Sequence, residues 1–178
     1  MNNIKQFTIF LIVLTLTSCG TSHNYSNNDL KKHFFDGKII YFKLNNKSKK
    51  SINFSGMVVG LGGGIRQPNV KETFKLSIEE LAIETNLRLK FIENSETTEG
   101  QSSNDIVIES DIAEINWHFG FSVATLKTLV KYKNTSNNQE ISTNGIRKSG
   151  GGDEKNNLKK SLKDATYNFL KEFEKEQK

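Results

Sequence analysis

The stretch 105–148 constrains the fold most, because its apolar and polar residues alternate over three consecutive segments. Alternation with a period of two predicts β-strands that bury one face. Polar turns separate the segments, which cover 105–119, 121–133 and 140–148. Because consecutive strands joined by short connections usually pair antiparallel, we expect an antiparallel meander here.

The first of these segments changes phase along its length. Its apolar residues form two sets of opposite parity, namely Ile106, Ile108 and Ile112, followed by Ile115, Trp117 and Phe119. A slip of one residue turns one set outward unless a β-bulge absorbs it. We therefore predict a bulge near Ala113 and Glu114. The second segment is apolar on both faces over part of its length.

Strand and helix patterns alternate before the meander. Segments 38–44, 51–59 and 87–92 are rich in β-forming residues and predict strands. A helical spacing of three and four lies between the second and third, formed by Val70, Phe74, Ile78, Leu81, Ala82 and Thr85. This helix can begin near Pro68 or at Ser77, where Glu80 would complete a capping box.

A second amphipathic helix is expected at the carboxyl terminus. Asp153 can cap it. Its apolar stripe consists of Leu158, Leu162, Ala165, Phe169 and Phe173. These patterns together predict the α+β class, with an antiparallel sheet of about four to six strands and two amphipathic helices packed on one face.

The amino-terminal segment has the layout of a signal peptide. Lys5 lies in a short polar start, and residues 7–16 are uncharged and mostly apolar. These roughly ten residues are too few for a membrane-spanning helix, which needs about 20. The single cysteine, Cys19, follows directly, whereas a disulfide-bonded secreted domain would have an even number.

The sequence Leu16-Thr17-Ser18-Cys19 resembles a bacterial lipobox. The resemblance implies cleavage before Cys19, a diacylglyceryl thioether on its sulfur and a further acyl chain, such as palmitate, on the new amino terminus. Two or more acyl chains hold a protein stably on a membrane. An ordinary signal peptide with an accidental cysteine is the alternative.

The lipobox resemblance also implies an address and a domain organisation. Gly20 in place of aspartate favours the outer membrane, and the absence of an acidic cluster after it favours the periplasmic face. We expect a signal peptide at 1–18, a lipidated cysteine with a flexible tether at 19–29, and one globular domain at 30–178.

A family resemblance rests on the segment Asp105-Ile106-Val107-Ile108, the meander after it, the glycine-rich break and the closing helix. These features resemble the small YajG-type bacterial lipoproteins. The larger lipopolysaccharide-assembly lipoprotein of the outer membrane has a similar helix-on-sheet plan. The resemblance implies an α+β envelope module that assists assembly of outer-membrane components, and it transfers no catalytic or binding residue.

Glycine clusters and histidines are the candidate ligand sites. The cluster at 60–64 lacks the Gly-Lys-Ser/Thr ending of a P-loop, and Asp153 would repel an anion at 150–152. We interpret both clusters as flexible loops. His23, His33 and His118 lack metal-ligand spacing, so we expect no metal and no cofactor.

The catalytic inventory favours a binding protein over an enzyme. No serine lies in a nucleophile elbow, and the carboxylates of Glu79, Glu80, Asp111 and Glu114 are interpreted as solvated. We expect a non-catalytic module that binds an envelope protein. Binding of a lipid or lipopolysaccharide, motivated by residues 121–132, is the alternative.

Net charge bears on nucleic-acid binding. The chain has a net charge of +5, and loss of Lys5 with the signal peptide leaves 5 − 1 = +4. This excess is mild, and the expected export argues against a nucleic-acid partner.

Overall fold

The computed structural model describes residues 23, 25, 30, 32–56, 66–93 and 104–176. They form a mixed α+β fold with a six-stranded sheet, two long helices and one short helix. The elements in chain order are α1 (Lys32–Phe35), β1 (Ile40–Leu44), β2 (Asn53–Gly56), α2 (Val70–Thr85), β3 (Leu89–Ile92), β4 (Ile106–Phe119), β5 (Ala124–Asn134), β6 (Glu140–Ser149) and α3 (Glu154–Glu176).

The sheet combines an antiparallel meander with parallel strands. The order is β3-β1-β4-β5-β6, and β2 also pairs with β4. The meander β4-β5-β6 is antiparallel, which confirms the prediction for this half. Elsewhere the antiparallel prediction is wrong, because β1 is parallel to β3 and β4, and β2 is parallel to β4. The helix α2 lies between β1 and β3 in the chain, and it provides the long connection that a parallel pair requires.

Strands β1 and β2 lie one after the other along β4 instead of forming a hairpin. Ile40 starts the pairing opposite Ile106, whereas Asn53 starts the second pairing opposite Asn116. The Ser48 hydroxyl between them accepts a hydrogen bond of 3.0 Å from the backbone of Ile112. Because the connection keeps its hydrogen bonds to β4, one long strand can serve two short parallel neighbours.

The predicted bulge in β4 is confirmed. Ile112 pairs with Val130 and Glu114 pairs with Leu129, so Ala113 is the extra residue. Ile112 and Ile115 are both fully buried, one on each side of the bulge. The bulge therefore keeps both apolar sets on the same face of the sheet.

The two long helices begin at polar caps. Asn69 caps α2, and its side chain accepts a hydrogen bond of 3.1 Å from the backbone of Glu72. The helix thus begins two residues after Pro68, and the alternative start at Ser77 is wrong. Asp153 accepts a bond of 2.7 Å from the Asn156 backbone at the start of α3, which confirms the predicted cap.

The helices pack against each other and against one side of the sheet, which we call the covered face. The apolar stripe of α3 is at most 1% exposed. Gly145 of β6 allows close packing, since a Cβ there would lie 1.8 Å from the Ser161 carbonyl oxygen of α3. The missing side chain of one glycine therefore sets the distance between helix and strand.

The opposite side of the sheet, the open face, is largely polar. Its residues in the three meander strands include Glu109, Asp111, Asn116, His118, Lys127, Leu129, Lys131, Lys133, Ser142, Asn144 and Lys148. In β5, the lysines Lys127, Lys131 and Lys133 alternate with buried residues, and Leu129 is the apolar exception. The strand is therefore apolar on both faces only around Leu129, which agrees with the prediction that this holds over part of its length.

Candidate functional site

The structure does not bring the predicted candidate residues together. Cys19 and the glycine cluster at 60–64 lie outside the described residues, as does the side chain of His33. His118 is exposed on the open face, where its Nδ1 lies 3.1 Å from the Ser55 hydroxyl. His23 lies against α3, with its Nδ1 3.6 Å from Oδ1 of Asp164. These two histidines therefore belong to different surfaces.

The carboxylates interpreted as solvated have different surroundings. Glu79 is exposed, and Glu114 accepts a hydrogen bond from the neighbouring Asn116. Asp111 accepts a bond of 3.4 Å from Ser48. Among the described residues, no group of three or more His, Cys, Asp or Glu side chains could hold a metal ion.

Glu80 departs from the solvated interpretation because it belongs to an ionic cluster between the helices. It binds Lys159 and Lys163 of α3, and Lys163 also lies 2.8 Å from Glu84. Burial of the Glu80 carboxyl raises its pKa, but hydrogen bonds from the two lysines and their charges outweigh burial. The pKa of Glu80 is therefore lowered below the usual 4.5. The Lys163 side chain is only 6% exposed, so this cluster connects the two helices at a largely buried cation.

An open cavity of about 590 Å³ lies between the β1–β2 connection and the start of α2. Three lysines line it, namely Lys49, Lys50 and Lys71. Of its other polar side chains, Asn45 donates a hydrogen bond to the Glu109 carboxylate. Gln67 accepts a hydrogen bond from the N–H of Ile52 and donates one to its carbonyl. We interpret these hydrogen bonds as holding the loops around the cavity in place.

Another cavity lies at one end of the sheet, beside a group of aromatic residues that we call the aromatic end: Phe54, Trp117, Phe119 and Phe121. Trp117 and Phe119 stack with a centroid distance of 4.7 Å. Phe54 of β2 packs on Trp117 at 6.0 Å. Phe121, at the β4–β5 turn, is 94% exposed. A large aromatic side chain is thus presented to solvent beside a packed aromatic base.

The cavity at the aromatic end has about 330 Å³ and is open. Its lining includes Trp117, Phe119, Phe121 and glycines 150–152. The indole Nε1 of Trp117 is buried without a hydrogen-bond partner. A buried donor without a partner is unfavourable by about 1–3 kcal/mol.

The predicted flexible tether contains an ordered contact with α3. Tyr25 is 3% exposed, and its ring packs on Tyr167 with a centroid distance of 4.7 Å. Its hydroxyl donates a hydrogen bond of 3.3 Å to Asp164. Burial and the Asp164 carboxylate raise the pKa of the Tyr25 hydroxyl, so it remains a donor. We call the contact of Tyr25 with Asp164 and Tyr167 the Tyr25 clasp.

Sequence reasoning missed both the aromatic end and the clasp. A signal for the first was present, since Trp117, Phe119 and Phe121 surround a glycine that marks a turn. Tyr25 gave little signal, because it is one aromatic residue in a polar stretch. Among the described residues, no helix is long and apolar enough to cross a membrane.

Comparison with known proteins adds distant likenesses. No family model matches the chain, and no curated protein matches it. A PelC dodecamer from Paraburkholderia phytofirmans has a TM-score of 0.37 at 9% identity, over 74% of this chain and 86% of that one. A hypothetical protein from Chlamydia trachomatis has a TM-score of 0.36 at 8% identity, over 79% and 96%. At these TM-scores the likenesses carry no argument about function.

Proposed function

We propose that this chain is an exported lipoprotein, anchored through Cys19 in the outer membrane and facing the periplasm, and that it is a non-catalytic module for binding an envelope protein. The signal-like segment and the lipobox pattern before Cys19 support the anchor. The YajG-type resemblance belongs to the same proposal, since it implies an envelope-assembly role.

The aromatic end is the observation that carries the binding function. Exposed aromatic residues that lie beside a cleft are typical of the few residues that dominate binding energy at protein interfaces. Phe121 is 94% exposed. Trp117 and Phe119 line the cleft beside it, so the cleft fits an apolar side chain of the partner. We therefore propose the aromatic end as the partner-binding site.

A non-catalytic role agrees with how the titratable groups are distributed. A general acid–base pair needs two groups close together in a site that separates their pKa values. Among the described residues, His118 is exposed on the open face, whereas His23 lies against α3 beside Asp164. The lowered pKa of Glu80 arises in an ionic contact between two helices.

Site-specific photocrosslinking in intact envelopes tests the binding site. A photoreactive phenylalanine analogue at Phe121 should give a discrete adduct with one protein. The same analogue at Asn144, exposed on the open face, serves as the control and should not give that adduct. Phe121→Ser should weaken capture of the same partner from detergent-solubilised envelopes.

The outcomes separate a protein partner from an amphiphile. Equal, diffuse adducts at both positions would contradict the proposed partner site. Adducts with lipid or lipopolysaccharide at Phe121 alone would favour the alternative function, in which the cleft of about 330 Å³ holds an apolar chain. Native mass spectrometry of the purified protein would then show a bound amphiphile.

A further inference from the structure

The Tyr25 clasp leaves a very short connection between the folded domain and Cys19. His23 stacks on Tyr25 with a centroid distance of 5.8 Å and lies beside Asp164. Three residues, 20–22, separate His23 from Cys19. A fully extended chain covers at most about 3.6 Å per residue, so four steps reach about 14 Å. A lipid on Cys19 therefore cannot lie far from this side of α3.

In the clasp, Asp164 lies at the edge of the sheet, where its Oδ2 accepts a hydrogen bond of 2.8 Å from the Ile146 backbone of β6. Tyr167 lies further from the sheet by helical spacing. Leu162, Ala165 and Phe169 form the buried stripe on the side of the helix opposite Tyr167, although Tyr25 and Tyr167 belong to the same core cluster. Lys160, Tyr167 and Lys171 are spaced seven and four residues apart, so they form one outer stripe. Lys171 Nζ lies 5.8 Å from the centroid of the Tyr167 ring. Lys160 and Lys171 thus lie on either side, along the helix, of the point where the tether at 19–29 meets α3.

We infer that the outer side of α3, marked by Lys160 and Lys171, is the surface that lies against the lipid headgroups. This inference rests on the proposed lipidation of Cys19. The Tyr25 clasp fixes the orientation by holding the anchor segment on α3, and the two lysines complement lipid phosphates. The open face lies on the side of the sheet that the helices do not cover. It is therefore turned away from the bilayer.

The orientation can be measured with single-cysteine reporters, because lipid occupies the sulfur of Cys19. Lys160→Cys places a fluorophore on the outer side of α3, and Lys131→Cys places one on the open face as a matched control. The lipidated proteins are reconstituted in phosphatidylethanolamine and phosphatidylglycerol vesicles that contain a quencher on the lipid headgroup. Quenching should be clearly stronger at position 160 than at position 131.

Variants of Tyr25 test the clasp. Tyr25→Ala frees the chain as far as Leu30, the next described buried residue, so about eleven residues and a reach of about 40 Å separate Cys19 from the body. The ratio of quenching at the two positions should then fall towards unity. Tyr25→Phe keeps the ring and removes the hydroxyl bond to Asp164, so it should retain most of the difference.

The possible results distinguish this inference from the proposed function. Equal quenching at both positions in an otherwise unchanged protein, with lipid on Cys19 shown by mass spectrometry, would overturn the orientation alone. If Tyr25→Ala leaves the ratio of quenching at positions 160 and 131 unchanged, the clasp does not fix the orientation. An unmodified Cys19 would contradict the proposed function as well.

Discussion

The two faces of the sheet differ although the same strands form both. On the covered face, side chains are fixed by particular partners on α3: Thr143 donates to the Ala165 carbonyl at 2.7 Å, and Tyr132 lies 3.0 Å from the Thr166 hydroxyl. On the open face, Lys131 and Asp111 pair in register but both remain partly or fully exposed to solvent. Fold stability should therefore depend on the covered face, whereas the open face can vary.

Gly145 offers the strongest test of this comparison. In Gly145→Ala, the new Cβ would lie 1.8 Å from the Ser161 carbonyl oxygen. This oxygen belongs to the backbone of α3, so it cannot move aside as the end of a flexible side chain could. We expect a loss of at least about 3 kcal/mol in the free energy of unfolding, at the upper end of overpacking effects. Urea denaturation of the detergent-solubilised protein measures it.

The neighbouring Asn144 provides the control on the open face. Asn144→Ala should change the free energy of unfolding by less than about 0.5 kcal/mol, as is usual for an exposed side chain. Similar losses for both variants would show that the two faces do not differ as proposed.

Lys163 should have the next largest effect. Lys163→Met removes the cation that binds both Glu80 and Glu84, and a buried oxygen of Glu84 already lacks a partner. Because the glutamates retain some solvent, we expect a loss of roughly 2–4 kcal/mol, around the lower end for breaking a buried ion pair. Lys131→Met on the open face should be nearly neutral, and equal losses would contradict the comparison.

The pH dependence of the same cluster gives a smaller effect. The pKa of Glu80 is lowered by Lys159 and Lys163, so its ionised form favours the folded state above pH 4.5. This stabilisation should disappear as the pH falls through the lowered pKa. Glu80→Gln should therefore lower stability at neutral pH, and the difference from the unchanged protein should narrow in acid. Parallel urea titrations between neutral and acid pH measure it, and a constant difference would contradict the assignment.

The features that the sequence predicted correctly depend on residues that are close together in the chain. The opposite parities of Ile112 and Ile115 required a bulge, and the bulge is present. Asp153 was recognised as a cap for a similar reason, since cap and helix are adjacent in the chain. The apolar stripe of α3 followed from its helical spacing.

Features that depend on distant partners were missed. The parallel pairing of β1 with β3 and β4 joins segments separated by a helix. A strand–helix–strand order is itself a signal for parallel pairing. The burial of Lys163 and Tyr25 could not be predicted, because each depends on residues more than seventy positions away: Tyr25 on α3, and Lys163 on α2.

The attachment of lipid to Cys19 is the claim on which location, orientation and partner all depend. Intact-mass analysis of the mature protein, extracted from envelopes, tests it most directly. The proposed function predicts loss of residues 1–18 and a mass increase of a diacylglyceryl group and an acyl chain on Cys19. An unmodified amino terminus downstream of Cys19 would contradict the account.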